Sequence, residues 1–335
     1  MEDNSMLSFK DILGQDLIKK HFITAIATGN VSHAYILSGE EGMGKKTMAN
    51  AFALSLMCEE GKSGEPCREC HACRQVLSGN HPDIIYVTHE KPASIGVDDV
   101  RRQINDTIQV KPYSGGYKLY IVDEAEKMTV QAQNALLKTI EEPPVYAVIL
   151  LLTANGEVFL PTILSRCVKM ALKPLTDEQV RDYLTGRLQV PAAQAEVYTA
   201  FARGNLGKAI ALSESEDFQR LYEELLGLLE KVKKADLSEL LEDVKRWKDE
   251  GTDLHQCLDF MQMWYRDVLM YKTTKDINLL IFKDQFPAIK EMCTASGYDG
   301  LERILAAIDK AGIRLDANVN TELVMELLFL SMKEN

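Results

Sequence analysis

The chain lacks long apolar runs. The longest, Val145 to Leu152, has eight residues, whereas a membrane-spanning helix needs about 20, so no membrane segment is expected. Positive charge is also scarce. Lys and Arg total 38 against 50 Asp and Glu, a net charge of −12. Such a surface disfavours tight, sequence-blind DNA binding by the chain alone; a local basic strip or contact through partners stays open. Gly (20) and Pro (10) are modest in 335 residues, with no repeat and no low-complexity tract, which removes collagen-like and disordered readings. The opening stretch, MEDNSMLSFKD, has neither the basic start nor the apolar centre of a secretory signal, so a cytoplasmic protein is expected.

What is present is an ordinary globular composition, 46% hydrophobic and 26% charged, in a chain long enough for two or three domains. The first half alternates short apolar runs with helical patterns. Ala34–Leu37, Ile84–Val87, Lys118–Val122 and Val145–Thr153 are nearly continuous and rich in β-branched or aromatic residues, as strands buried on both faces of a parallel sheet are. Helical stretches such as Met128–Glu141 separate them, which predicts an α/β sheet with helices on both faces. The second half has almost no strand signal. Helices are expected at Leu175–Leu188, with Thr176-Asp177-Glu178 as its cap, at Ala192–Ala202, and then in an amphipathic series that includes Leu221–Lys233, Leu237–Lys248, Leu254–Tyr271 and Asn318–Met332. Met261, Met263, Trp264 and Tyr265 read as core. Lys173-Pro174 and Ser213–Asp217 are the candidate boundaries, dividing the chain into 1–173 (α/β), 174–213 (small, helical) and 214–335 (larger, helical).

Gly39-Glu40-Glu41-Gly42-Met43-Gly44-Lys45 follows a strand and opens a helix expected from Thr47 to Met57. It satisfies G-x4-G-K, the phosphate-cradling loop. Gly39, Gly42 and Gly44 let backbone N–H groups converge, and Lys45 would reach the terminal phosphates of ATP. The next residue should be Ser or Thr, to bind magnesium; here it is Lys46. Thr47 comes one position late, about 100° round the helix. Nucleotide binding can survive this change, but magnesium-dependent hydrolysis is put in question. Asp123-Glu124 closes the strand Lys118–Val122. In a P-loop protein Asp123 would hold the magnesium shell and Glu124 would activate water, here as a vestige if the ion is gone. Asn155, after the strand ending at Thr153, would place a polar side chain between loop and acids.

Four of the seven cysteines, Cys58, Cys67, Cys70 and Cys73, fall within sixteen positions. The spacing x8, x2, x2 suits four thiolates around one zinc ion, and four protein ligands leave no open position, so the site is expected to be structural. His71, directly beside Cys70, is left out of the ligand set.

Several motifs follow one another in a familiar order: Ser32–Gly39, the cysteine spacing, Asn134-Ala135-Leu136-Leu137-Lys138-Thr139-Ile140-Glu141-Glu142-Pro143-Pro144, and Leu164-Ser165-Arg166-Cys167. Together they resemble the bacterial DNA polymerase III clamp loader, an AAA+ family, and Phe9–Gln15 resembles its adenine-side box. The likeness is dense over residues 9–212 and thinner beyond, where Trp264–Asp267 resembles part of the collar. Motor chains of this family, gamma/tau, carry an intact Gly-Lys-Thr loop and a lid arginine. Here Lys46 replaces the threonine, and Gly207, in Gly204–Ala209, stands in the arginine's place.

The resemblance therefore implies the delta-prime kind of subunit, with an AAA+ domain containing a zinc module at 58–73, a lid at 174–213 and a collar at 214–335. Arg166 matches the finger that completes a neighbour's ATP site in trans. The implied partners are the gamma/tau motor and the delta subunit. Through the complex they include the sliding clamp and primed DNA, as part of the polymerase III holoenzyme, a nucleotidyltransferase. The intact Asp123-Glu124 leaves weak turnover, and an active gamma/tau-type motor, as the alternative. A zinc-containing P-loop protein of another class that binds nucleic acid directly would have called for a basic composition.

Overall fold

The computed structural model describes residues 8–61, 64–89, 91–114 and 116–335. The first seven residues of the polar N-terminal stretch lie outside them, as do Lys62 and Ser63 within the cysteine segment. The chain divides into two compact units, one running to Gln179 and including Gly204–Lys208, the other made of Val180–Arg203 and Ala209–Asn335.

In the first unit the expected strands form as β1 (Ala34–Ser38), β2 (Ile84–Val87), β3 (Lys118–Val122) and β4 (Ala147–Thr153). A fifth, β5 (Val168–Ala171), was not expected. All pair in parallel in the order β2-β3-β4-β1-β5. Side chains alternate between two cores. Tyr35, Leu37, Leu119, Ile121, Val148, Leu150 and Leu152 face one; Ala34, Ile36, Tyr120, Val122, Ile149 and Leu151 face the other. Both faces are covered, which is why the runs look continuous rather than alternating. Strand β4 starts later than the apolar run. Val145 is 99% exposed, in a turn set by Pro143-Pro144 and closed by the Ala147 N–H on the Pro144 carbonyl at 2.9 Å.

Helices α1 (Asp16–Thr28) and α2 (Lys45–Met57) cover the first core. Phe22 of α1 packs 4.3 Å from Phe52 of α2, between ring centroids, and stacks on Phe9. Each such fully buried ring contributes roughly 1.5–3 kcal/mol. The cysteine segment and α3 (His71–Leu77) lie between α2 and β2. The other core is covered by α4 (Val97–Val100), which runs into a π-helical turn at Arg101–Asn105, and by α5 (Val130–Glu141); α6 (Pro161–Leu164) precedes β5. Thr129 caps α5, its Oγ1 accepting from the Ala132 N–H.

Three helices follow: α7 (Asp177–Gly186), α8 (Ala192–Ala202) and α9 (Leu206–Glu214). The cap of α7 is reciprocal. Gln179 N–H donates to Thr176 Oγ1, and Thr176 N–H donates to Gln179 Oε1, so two orphan donors are satisfied together. The second unit continues as α10 (Glu216–Lys231), α11 (Leu237–Asp249), α12 (Leu254–Thr274), α13 (Phe286–Ala295), α14 (Tyr298–Asp316) and α15 (Thr321–Glu334). Its core holds Trp247, Phe260, Met261, Trp264, Tyr265, Phe282 and Phe329, all almost fully buried, so Met261, Trp264 and Tyr265 of the expected cluster are core, while Met263 is half-buried. Beside it the buried Asp267 accepts the N–H groups of Ile281 and Phe282 at 2.7 and 2.9 Å. Burial pushes its carboxyl pKa up, against those bonds and Arg266. No helix among the described residues is long and apolar enough to cross a membrane.

Candidate functional site

The sheet order brings the loop after β1 and the acids after β3 to either side of the end of β4, where open α/β sheets gather ligands. The loop leaves β1 with the Gly39 N–H on the Thr153 carbonyl, 3.1 Å. It then turns through Gly42 (φ 83°) and Gly44 (φ 90°), left-handed conformations that favour glycine. Gly44 is the N-cap of α2, so the opening N–H groups of that helix have no intrahelical acceptor.

Lys45 does not extend away from the loop. Its Nζ donates to the carbonyls of Gly39 at 2.5 Å and Glu40 at 2.9 Å. Lys46 reaches the other wall, with Nζ 2.8 Å from Asp123 Oδ2, so an ammonium sits on the carboxylate that would serve magnesium. Glu124 has a lysine too: Lys127 Nζ lies 2.7 Å from its Oε2, with His89 Nε2 at 3.9 Å. Glu124 is held at φ 47°, an uncommon conformation for a non-glycine residue. Thr47 is exposed. Asn155 turns its Oδ1 to the Glu157 N–H at 3.0 Å. The acid that meets the end of β4 is Glu126, which accepts the Ala154 N–H at 3.2 Å.

Residues 204–208 rest on the loop from the other side. Asn205 Nδ2 donates to the Glu41 carbonyl at 2.7 Å, while its Oδ1 accepts the Lys208 N–H at 3.1 Å. Gly207 N–H donates to the Gly42 carbonyl at 3.0 Å. A Cβ on Gly207 would lie 2.5 Å from that oxygen and 2.7 Å from Gly42 Cα. Gly207 is thus the residue this contact requires, and a side chain at 207 has no space while the contact is made.

Arg166 follows α6. Its Nη1 donates to the Thr162 carbonyl at 3.0 Å and Ser165 Oγ at 3.3 Å, and its Nη2 pairs with Glu141 Oε1 at 3.0 Å. The side chain stays 39% exposed.

The sulfurs of Cys58, Cys67, Cys70 and Cys73 all lie within 4.8 Å of one another, and those of Cys67 and Cys73 are 3.9 Å apart. Thiolates about 2.3 Å from a shared tetrahedral zinc are separated by about this much. Backbone N–H groups of Cys67, Cys70 and Cys73 point at the sulfurs of Cys58, Cys67 and Cys70 at 3.3, 3.3 and 3.4 Å. The N–H groups of Cys70 and Glu69 pull the Cys67 thiol down to about 7, while burial pushes Cys58 and Cys73 up. The set can hold a metal ion and is compatible with zinc.

Two family models match the chain: DNA polymerase III, delta subunit, over residues 14–176, and the C-terminal part of the delta subunit over 214–334. The delta' subunit of DNA polymerase III of Bacillus subtilis is 30% identical over 326 residues, 96% of this chain and 96% of that protein. The chain belongs to the DNA polymerase III delta-prime family. DNA polymerase III subunit tau of the same bacterium is 31% identical over 296 residues, 82% of this chain, but the chain spans only 52% of it. The full-length match therefore favours delta-prime over the gamma/tau motor. A crystal structure of a gamma subunit-related protein of Thermotoga maritima aligns over 95% of this chain and 98% of its own, with 22% identity and a TM-score of 0.44.

Lys127 and Asn205 were not singled out by sequence reasoning. The spacing of Lys127 from Glu124, three residues apart in a tight turn, was a readable signal. Asn205 acts across the fold and left no signal.

Proposed function

We propose that this chain is the stator of a bacterial clamp loader. It assembles in the cytoplasm with gamma/tau motor and delta subunits, performs no effective ATP hydrolysis of its own, and presents Arg166 to ATP held by the neighbouring motor. The complex then places a sliding clamp on primed DNA. The observation that carries this reading is the Lys46–Asp123 pair at 2.8 Å: the chain's own cation occupies the acid that a hydrolytic site reserves for magnesium. Lys127 restrains Glu124 in the same sense. The glycine loop and the α2 N-terminus keep the frame for phosphate, so nucleotide binding without turnover fits this design. Residues 1–173, 174–213 and 214–335 act as P-loop, lid and collar domains.

Arg166 is suited to act in trans. Its pair with Glu141 is half-exposed on both sides, and such pairs hold at most about 1 kcal/mol, so the guanidinium exchanges readily to a phosphate. There it would stabilise the charge of the transferring phosphoryl group, an effect worth roughly 10³–10⁵ in rate in related systems. Zinc held by the four thiolates would be structural, since the ligand set is closed.

The test is a loader reconstituted with Arg166→Ala. We expect assembly by size exclusion to be unchanged and ATP turnover at the completed interface to fall about 10³-fold. Unchanged turnover at that interface overturns the finger assignment.

A further inference from the structure

We infer that the cysteine cluster positions the Ser8–Gln15 segment through Arg68, and through Gln15 the chain just after β5 at Lys173. Arg68 lies between Cys67 and Cys70 at φ 64°. An arginine does not choose that conformation unaided. It is held by the turn in which the Cys70 N–H points at Cys67 Sγ. From there its guanidinium pairs with the carboxylate of Asp11. That same Oδ2 accepts the N–H and Oγ of Ser8, at 3.1 and 3.0 Å, and so closes the cap of the short turn Phe9–Asp11. Asp11 is thus shared between the segment's own cap and the cluster.

The segment passes the restraint on. Lys19 of α1 donates to the Ile12 carbonyl at 3.0 Å. Gln15, held at φ 55°, clasps Lys173 with both ends of its amide. Its Nε2 donates to the Lys173 carbonyl at 2.6 Å, and its Oε1 accepts the Lys173 N–H at 3.0 Å. Gly14 lies so close to Leu175 that a Cβ would come within 2.6 Å of its Cδ2. The cluster's other shoulder rests on α1, where a Cβ on Gly64 would lie 2.6 Å from the Ile23 carbonyl. A continuous set of contacts therefore runs from the thiols to Lys173 and Leu175. A metal on the four sulfurs would fix the turn, and with it the direction of Arg68.

The experiment is hydrogen exchange by mass spectrometry on the full chain, as purified with its zinc content measured, after chelation, and as Arg68→Ala. Arg68→Ala should keep the metal content yet raise exchange in Ser8–Gln15 and around Lys173 severalfold, up to about fivefold, as loss of a pair this exposed allows, with β1 and β4 unchanged. Chelation should do the same. Arg68→Lys, which keeps a cation for Asp11 and leaves the Asp11 cap on Ser8 in place, should retain most of the protection. Arg68→Ala with unaltered exchange in these segments overturns the inference. So does protection of Ser8–Gln15 that survives chelation, or that is full in chain purified without metal.

Discussion

Gly207→Ala is a sharp test of the contact between residues 204–208 and the phosphate loop. One methyl group is added. Its nearest neighbours would be the Gly42 carbonyl oxygen at 2.5 Å, Cα at 2.7 Å and carbonyl carbon at 3.0 Å. All are backbone, in a loop held by a left-handed Gly42, so none can swing away as a side-chain end would. Overpacking of this kind costs about 1–3 kcal/mol. If the segment lifts off instead, the bonds from Gly207 and Asn205 to the Gly42 and Glu41 carbonyls are lost, at about 1 kcal/mol each. Alanine in a helix returns up to about 1 kcal/mol, leaving a net loss of about 1–2 kcal/mol. For a unit of this size that is a Tm decrease of about 2–8 °C. Exchange of the amides of Gly42–Lys46 should rise with it. Gly227→Ala in α10 is the control. A Cβ there meets nothing within 4 Å, and the same substitution should stabilise by about 0.5–1 kcal/mol. Calorimetry and exchange on both variants decide the matter: a Gly207→Ala protein as stable as wild type, with loop amides equally protected, refutes the contact.

Lys46→Thr should leave melting almost unchanged, because a pair this exposed holds at most about 1 kcal/mol. It should, however, make the affinity for a fluorescent ATP analogue depend on magnesium. Identical titrations in magnesium and in EDTA would show that Lys46 is not what keeps the ion out. In the second unit, burial alone pushes the Glu196 carboxyl up, but Lys283 at 2.8 Å and Arg181 at 2.9 Å outweigh it and hold the pKa below its ordinary value. The stability this gives is present above the ordinary carboxylate value of 4.5 and is lost as pH falls through the lower folded value. Urea midpoints of wild type and Glu196→Gln should therefore differ at pH 7 and draw together as the pH falls through the lowered folded value; a gap that does not change with pH counts against the triad.

The sheet was readable where strands are buried on both sides, as Lys118–Val122 is. Strand β5 was not. It is a four-residue edge strand with Lys169 and Ala171 exposed, so its sequence carries no apolar run. Helix α1 was also passed over: its N-cap is a left-handed Gln15 with no side-chain cap bond, which gives no start signal. At the site, the loop, the acids and the cysteine set were legible because each is local in sequence. The pairing of Lys46 with Asp123 was not, since it joins residues far apart through the order of the strands. Gly207 read as a missing arginine. Only packing reveals that the position has no room for a side chain.

The placement of β1 has a consequence for synthesis. Both of its neighbours, β4 and β5, lie more than a hundred residues further along the chain. At about 5–20 residues per second, a nascent chain carries the apolar Tyr35-Ile36-Leu37 without a sheet partner for on the order of ten seconds. The four thiols are complete long before β4 emerges, and the cluster adjoins both α1 and α2. Metal captured on the ribosome would give those helices an early anchor and shelter the waiting strand, so zinc starvation should lower the yield of newly made chain more than it harms chain already folded.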